Sequence, residues 1–419
     1  MNIYPVKQPL FFAAFLLAMV CFFSACSKRS PYPTSTHYND STFTGVDTTG
    51  GLDTIASFNA PTGVAVDAAG NVYVADYGNN QIRKITPAGI VTTLAGTGNQ
   101  GSINGPGNLA TFNGPTSVTV DAQGNVYVAD DNNNQIRKIS VTDGTVSTLA
   151  GSDSTGLKNG LDTGAYFFSP SGVAADAQGN VYVADAGNNV IRMVTPAGQT
   201  TTIAGNINPG ATNGAALTAA TFNNPSGLAL DASGNIYVAD MLNNLIRKIS
   251  NGTVSTVAGH DTAATMNGPD TLAAFYFPNS VAVDKSGNVY VTEYVTDLIR
   301  KIATDGTVST FAGNGMSGQA DSTGTAASFN GPSGVAVDGV GNLYIADTYN
   351  NVIRKITPAG VVSTIAGSGL TGSRNGKALS LRKGKALTVV HRSKANNNIL
   401  FNILVKKKVA QYYLRKLGQ

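Results

Sequence analysis

The sequence predicts an all-β fold made from one unit repeated along the chain, and three observations carry the prediction. Phe58-Asn-Ala-Pro61 recurs as Phe112-Asn-Gly-Pro115, Phe167-Phe-Ser-Pro170, Phe222-Asn-Asn-Pro225, Phe275-Tyr-Phe-Pro278 and Phe329-Asn-Gly-Pro332, at spacings of 54, 55, 55, 53 and 54 residues. Each copy holds four short β-rich runs, A to D, separated by Gly and Asn turns. Hydrophobic residues make up 42% of the 419, enough for a large core and too many for wholesale disorder.

The chain begins with an address. Met1 to Pro9 carries one cation, Lys7, and residues 10–23 form an apolar run of fourteen, short for a bilayer span and suited to a secretory leader. It ends Phe23-Ser24-Ala25-Cys26, which resembles the lipobox of bacterial lipoproteins, with Phe23 in place of the usual Leu. The resemblance implies a signal peptide over 1–25 and lipid on Cys26. It also implies a cell-envelope location, anchored in a membrane and facing the periplasm or the cell surface. Cys21 and Cys26 are the only cysteines, so cleavage leaves no thiol for a disulfide or a zinc site. Residues 26–41, rich in Ser, Thr, Pro and Tyr, read as a tether.

Residues 42–373 then form the repeated domain, with cores starting near 58, 112, 167, 222, 275 and 329. In the first copy strand A is Val64-Ala-Val66, and Asp67-Ala-Ala-Gly70-Asn71 is a hairpin turn: Asp starts it and Gly supplies positive φ. Strand B, Val72-Tyr-Val-Ala-Asp76, is apolar on both alternating faces, so its sheet is covered on both sides. Strand C is Ile82-Arg-Lys-Ile85 and strand D is Val91-Thr-Thr-Leu-Ala95. Blades stacked around an axis provide that cover, which predicts a six-bladed β-propeller of four-stranded antiparallel blades. The rungs of a parallel β-helix are much shorter than this unit. Thr42-Phe-Thr-Gly45 resembles a strand D with its glycine and could complete the last blade. A seven-bladed ring with a degenerate last blade is the alternative.

The cassette Pro-x-Gly-Val-Ala-Val-Asp-x-x-Gly-Asn-Val-Tyr-Val-Ala-Asp, followed by Asn-Asn-x-Ile-Arg-Lys-Ile, resembles the NHL repeat over residues 58–367. That resemblance implies a propeller, commonly six-bladed, of a family that mostly binds partners.

Antiparallel order puts the A–B and C–D turns on one face. The B–C turns share the other with the long D–A connections 97–111, 152–166, 206–221, 260–274 and 314–328, where function is expected. Residues common to the copies read as structural: Asp76, Asp130, Asp185, Asp240 and Asp347 hold one position and Arg83, Arg137, Arg192, Arg247, Arg300 and Arg354 another. Between dry blades Asp–Arg pairing or capping of loop N–H groups is expected, with a ring of carboxylates around an ion as the alternative. Departures from the repeat are the binding-face candidates. Glu293, the only Glu in the chain, replaces the Asp in blade five, beside Tyr294. Tyr77, Asp131, Met241, Leu242 and Tyr349 occupy matching turns. Exposed Tyr, Met and Leu grouped on one face suit a protein or glycan partner.

Catalysis finds less support. The strand A cores expected to line the channel are Val, Ala and Leu except for Thr119, and of three histidines only His260 lies in the repeats. No metal and no cofactor is expected; the enzymatic alternative is a hydrolase or lyase acting on envelope or extracellular carbohydrate. Residues 374–419 form a basic tail holding twelve Arg and Lys and no acid, so the rest of the chain has 16 cations against 24 acids. A mildly acidic, exported domain argues against nucleic acid. The tail itself reads as a membrane- or wall-binding segment, as the disrupted end of a seventh blade, or as a bland cap.

Overall fold

The computed structural model describes residues 56–377. They form six sheets whose strands A to D hydrogen-bond in sequence order, each antiparallel to the next, as a six-bladed propeller requires. In blade one these are Pro61–Val66, Val72–Asp76, Gln81–Ile85 and Ile90–Ala95. The last blade is Pro332–Val337, Leu343–Asp347, Val352–Ile356 and Val362–Ala366, so its strand D is its own. Thr42–Gly45 lies outside the described residues.

The two-sided strand B dictates where the core lies. Tyr73 and Ala75 of blade one pack with Val126 and Val128 of blade two, while Val72 and Val74 pack with Tyr344 and Ala346 of blade six. Each hydrophobic cluster therefore sits between blades, and the cluster shared by blades six and one closes the circle.

Each D–A connection continues onto the outer edge of the next blade. Gly105–Pro106 adds a fifth strand to blade two, and Gly160–Leu161, Gly214–Ala215 and Gly268–Pro269 do the same for blades three to five. On blade six this shrinks to a bridge between Thr323 and Val361. Blade one receives Gly376–Lys377, which pairs with Ile90 and Val91. The half repeat after Gly367 is thus the outer edge of blade one, delivered from the other end of the chain. The Ala56 N–H donates to the Lys377 carbonyl, and Gly372 N–H to Phe58.

At the axis the strands A of adjacent blades nearly touch. A Cβ on Gly172 would lie 2.2 Å from the Ser226 carbonyl oxygen, and one on Gly334 2.3 Å from that of Thr62. The channel they surround encloses about 240 Å³, lined by residues such as Val64, Thr119, Ala174, Leu228, Val281 and Val335. Thr119 is structural: its hydroxyl accepts the Ala175 N–H of the next blade.

Candidate binding face

The B–C turns are pinned from both sides. Arg83 Nη1 donates to Asp76 at 2.8 Å and to the Ser57 carbonyl, while Nη2 donates to the Arg374 carbonyl and Asn375 Oδ1. Its guanidinium lies 5.4 Å from the centre of the buried Phe58 ring. The same cluster recurs in every blade, with acid–Arg distances of 2.7–2.9 Å and both side chains fully buried. Burial pushes the carboxylates of Asp130, Asp185, Asp240 and Asp347 up to about 6, against the pull of the guanidinium and the N–H donors around them. The Asn or Asp that meets Arg Nη2, such as Asn104, Asn159 and Asp321, sits in the preceding D–A connection. Its signal was its fixed place about eight residues before the Phe.

Two asparagines complete each turn. Asn79 Nδ2 joins Asp76 to the Gly372 carbonyl. Asn80 takes φ +51°, where its Oδ1 accepts the Gly114 N–H of blade two. Asn134, Asn189, Asn244, Asp297 and Asn351 repeat this clip from blade to blade, the last onto Ala60 of blade one. The long-connection face is thereby held rigid at its inner rim.

On this frame the seven candidates separate. Tyr294 and Tyr349 come together across the seam of blades five and six, their rings 5.5 Å apart and their hydroxyls hydrogen-bonded. Tyr349 is 50% exposed. Tyr77, Met241 and Leu242 are half-buried in the turns of blades one and four. Tyr77 leans over Gly114, as Tyr294 leans over Gly331. Glu293 does not face solvent: it is fully buried, bonded to Arg300 at 2.9 Å and to Thr296, and burial raises its pKa. It fills the place of the repeated Asp, its extra methylene matched by the shorter Thr296 where other blades have Asn. Asp131 also turns inward. Its Oδ1 is buried without a protein partner, and burial, with the charge of Asp130 beside it, raises its pKa to about 7 against the pull of the Ser169 hydroxyl.

The sequence reasoning missed four further side chains of this face. Tyr276 and Phe277, with ring centres 4.8 Å apart, occupy positions that are Asn59 and Ala60 in blade one. Val295 and Met316 are 48% and 67% exposed. The signal was present in the leading tetrapeptide of blade five, whose two middle residues are aromatic where most copies have Asn and a small residue. Among the described residues no group of three His, Cys, Asp or Glu could hold a metal, and no helix is long and apolar enough to cross a membrane.

A repeated four-stranded unit carrying this Phe–Arg–Asp cluster defines a class of propeller. The NHL repeat family matches residues 58–85, 112–139, 167–192, 222–249 and 329–356, and the chain is an NHL-repeat β-propeller. Blade five, with Glu293 and without the Asn pair, is the one copy outside those matches. NHL repeat-containing protein 2 of Bos taurus is 31% identical over 182 residues, 40% of this chain and 24% of that protein. Teneurin-3 of Mus musculus is 28% identical over 348 residues, 71% of this chain and 12% of that protein. The chain thus spans about a quarter or less of the curated relatives it matches. An auxiliary nutrient binding protein from Bacteroides thetaiotaomicron shares the fold, with a TM-score of 0.54 at 16% identity, covering 74% of this chain and 70% of that one.

Proposed function

We propose that this protein is a lipid-anchored, extracytoplasmic binding module that presents the B–C turns and D–A connections of its propeller to a protein or glycan partner. The observation that carries the proposal is the contrast between its surfaces. The channel is lined by Val, Ala, Leu, Gly and a few hydroxyls, with no acid or imidazole to move a proton. The long-connection face instead gathers Tyr77, Met241, Tyr294 and Tyr349 on turns fixed by the Asn clips. Lipid on Cys26 would hold this module at the membrane.

The test has two arms. Incorporation of labelled palmitate should be lost in Cys26→Ser; labelling that persists removes the anchor. A screen of envelope proteins and glycans against the purified protein should yield a ligand whose binding falls at least tenfold when Tyr77, Met241 and Tyr294 are all changed to Ala. Unchanged binding would remove this face as the site. Turnover of a sugar lactone or polysaccharide by the purified protein would replace the binding proposal with an enzymatic one.

A further inference from the structure

The aromatic residues of the binding face are spread unevenly around the ring: Tyr77 in blade one and Phe168, 45% exposed in blade three, stand apart from one larger group. Tyr276, Phe277, Tyr294, Val295, Met316 and Tyr349 all belong to blade five, to blade six or to the connection between them. The two aromatic pairs flank one buried group: the Tyr276 N–H donates to the Glu293 carboxylate, and Tyr294 follows Glu293 in the chain. In blades one to four the residues in the place of Tyr276 and Phe277 are Asn59-Ala60, Asn113-Gly114, Phe168-Ser169 and Asn223-Asn224, so blade five alone has an aromatic residue at both positions. The structure therefore holds one half-exposed aromatic arc rather than six equivalent loops.

The arc is almost free of charge. Glu293 and Asp297 of its B–C turn are turned inward, one onto Arg300 and the other onto Ser317 and the Gly331 N–H. Asp321 is held by Arg354 at 2.8 Å. The exposed exceptions are on the connection before blade five: the His260–Asp261 pair, and Asp270, which lies against Gly306 of the C–D turn. What borders the rings instead is amide: Asn314 and Gln319 are exposed, and Asn330 is half-exposed.

We infer that this arc is a binding site for neutral polysaccharide, with Tyr349 and Tyr276 as its stacking residues; the inference rests on the binding-face reading above. Sugar rings offer apolar C–H faces that lie against aromatic rings, and hydroxyls that side-chain amides both donate to and accept from. A protein partner of ordinary composition, about a quarter charged, would bring charges that find no counter-charge here and would lose their hydration. An anionic polysaccharide meets no exposed cation in the arc. The Tyr294–Tyr349 hydroxyl bond fixes the ring of Tyr349 before any ligand arrives, which lowers the ordering cost of binding.

Affinity electrophoresis and calorimetry of the purified protein test this, with β-glucan, xyloglucan, galactomannan and arabinan as neutral probes and polygalacturonate and heparin as anionic ones. At least one neutral polymer should bind, and neither anionic one. Tyr349→Ala and Tyr276→Ala should each weaken that binding at least tenfold, Tyr349→Phe by less than threefold, and Val340→Ala, on the opposite face, not at all. Melting curves of the four variants within a few degrees of the parent exclude misfolding. The inference is overturned if no neutral polymer binds, if the anionic ones bind as well, or if Tyr349→Ala stays within twofold. A defined protein ligand lost in the Tyr77, Met241, Tyr294 triple variant, with no polysaccharide bound, would sink this inference and leave the binding-face proposal standing.

Discussion

Replacing Arg83 by Met probes how the ring is held shut. Arg83 is fully buried and makes four hydrogen bonds, two of them to Arg374 and Asn375, which are 291 and 292 residues away in the chain. Met fills much of the same volume, so the loss is electrostatic rather than a cavity. Removing one partner of a buried ion pair costs about 3–5 kcal/mol, chiefly because the remaining charge is stranded. In a domain of this size about 2 °C of melting temperature goes with each kcal/mol, so the melting point should drop by roughly 6–10 °C. Arg192→Met in blade three, whose partners Lys158 and Asn159 are 34 and 33 residues away, should lower it by a similar amount. Hydrogen exchange separates the two variants: only Arg83→Met should accelerate exchange in 371–377. Asp76 in that variant keeps its burial and loses its cation, so its pKa in the folded state rises further above the unfolded value. Stability tied to such a group is present at low pH and lost as pH rises, so the deficit should be smaller at pH 5 than at pH 8. Adding Asp76→Asn should recover part of the loss. A cost below about 1 kcal/mol, or unchanged exchange in the closing segment, would refute the role given to Arg83.

Three other outcomes follow from the packing and the charges. Gly172→Ala should destabilise by about 1–3 kcal/mol in urea unfolding, because the new methyl meets backbone, the Ser226 carbonyl, and neither strand can yield alone. Asn351→Ala loses the acceptor for the Ala60 N–H and places Ala at φ +53°, so it should cost about 1–3 kcal/mol, with Asn351→Gly less harmful because only the hydrogen bond is lost. Asp131, with a pKa raised to about 7, contributes stability that is complete below its unfolded value near 4 and fades as pH rises through 7; unfolding at pH 6 and pH 8 should therefore show a fall that Asp131→Asn abolishes.

The fold was legible because the copies vote on each position. A residue present six times, such as Arg83 and its equivalents, is under a constraint that every blade shares, and the burial of all six confirms a structural pairing. The two-faced strand B likewise implied cover on both sides, and the clusters lie between blades as that requires. The fifth strands were not legible: a two-residue pairing leaves no periodicity, and Gly105–Pro106 reads as turn by composition. The candidate site was half legible. Rarity pointed to Tyr294 and Tyr349, which meet. It also pointed to Glu293, which is rare because Thr296 replaces an Asn beside it, a compensation inside the blade that carries no outward function. Tyr276 and Phe277 stood inside the repeat signature, where a marker for strand A drew attention away from their side chains.

The seam that joins the two ends of the described chain also sets how the ring would respond to force. Ala56 and Lys377 face each other across a hydrogen bond on the outer edge of blade one, and the pairing of Gly376–Lys377 with Ile90–Val91 is two residues long. A pull that draws residues 56 and 377 apart meets those bonds one after another, as in an unzipping, whereas separating whole strands of the inner sheets would shear many at once. The propeller should then open at low load by peeling its last connection off the rim, with the blades still folded. In single-molecule extension that is a short first step of a few residues ahead of any larger one.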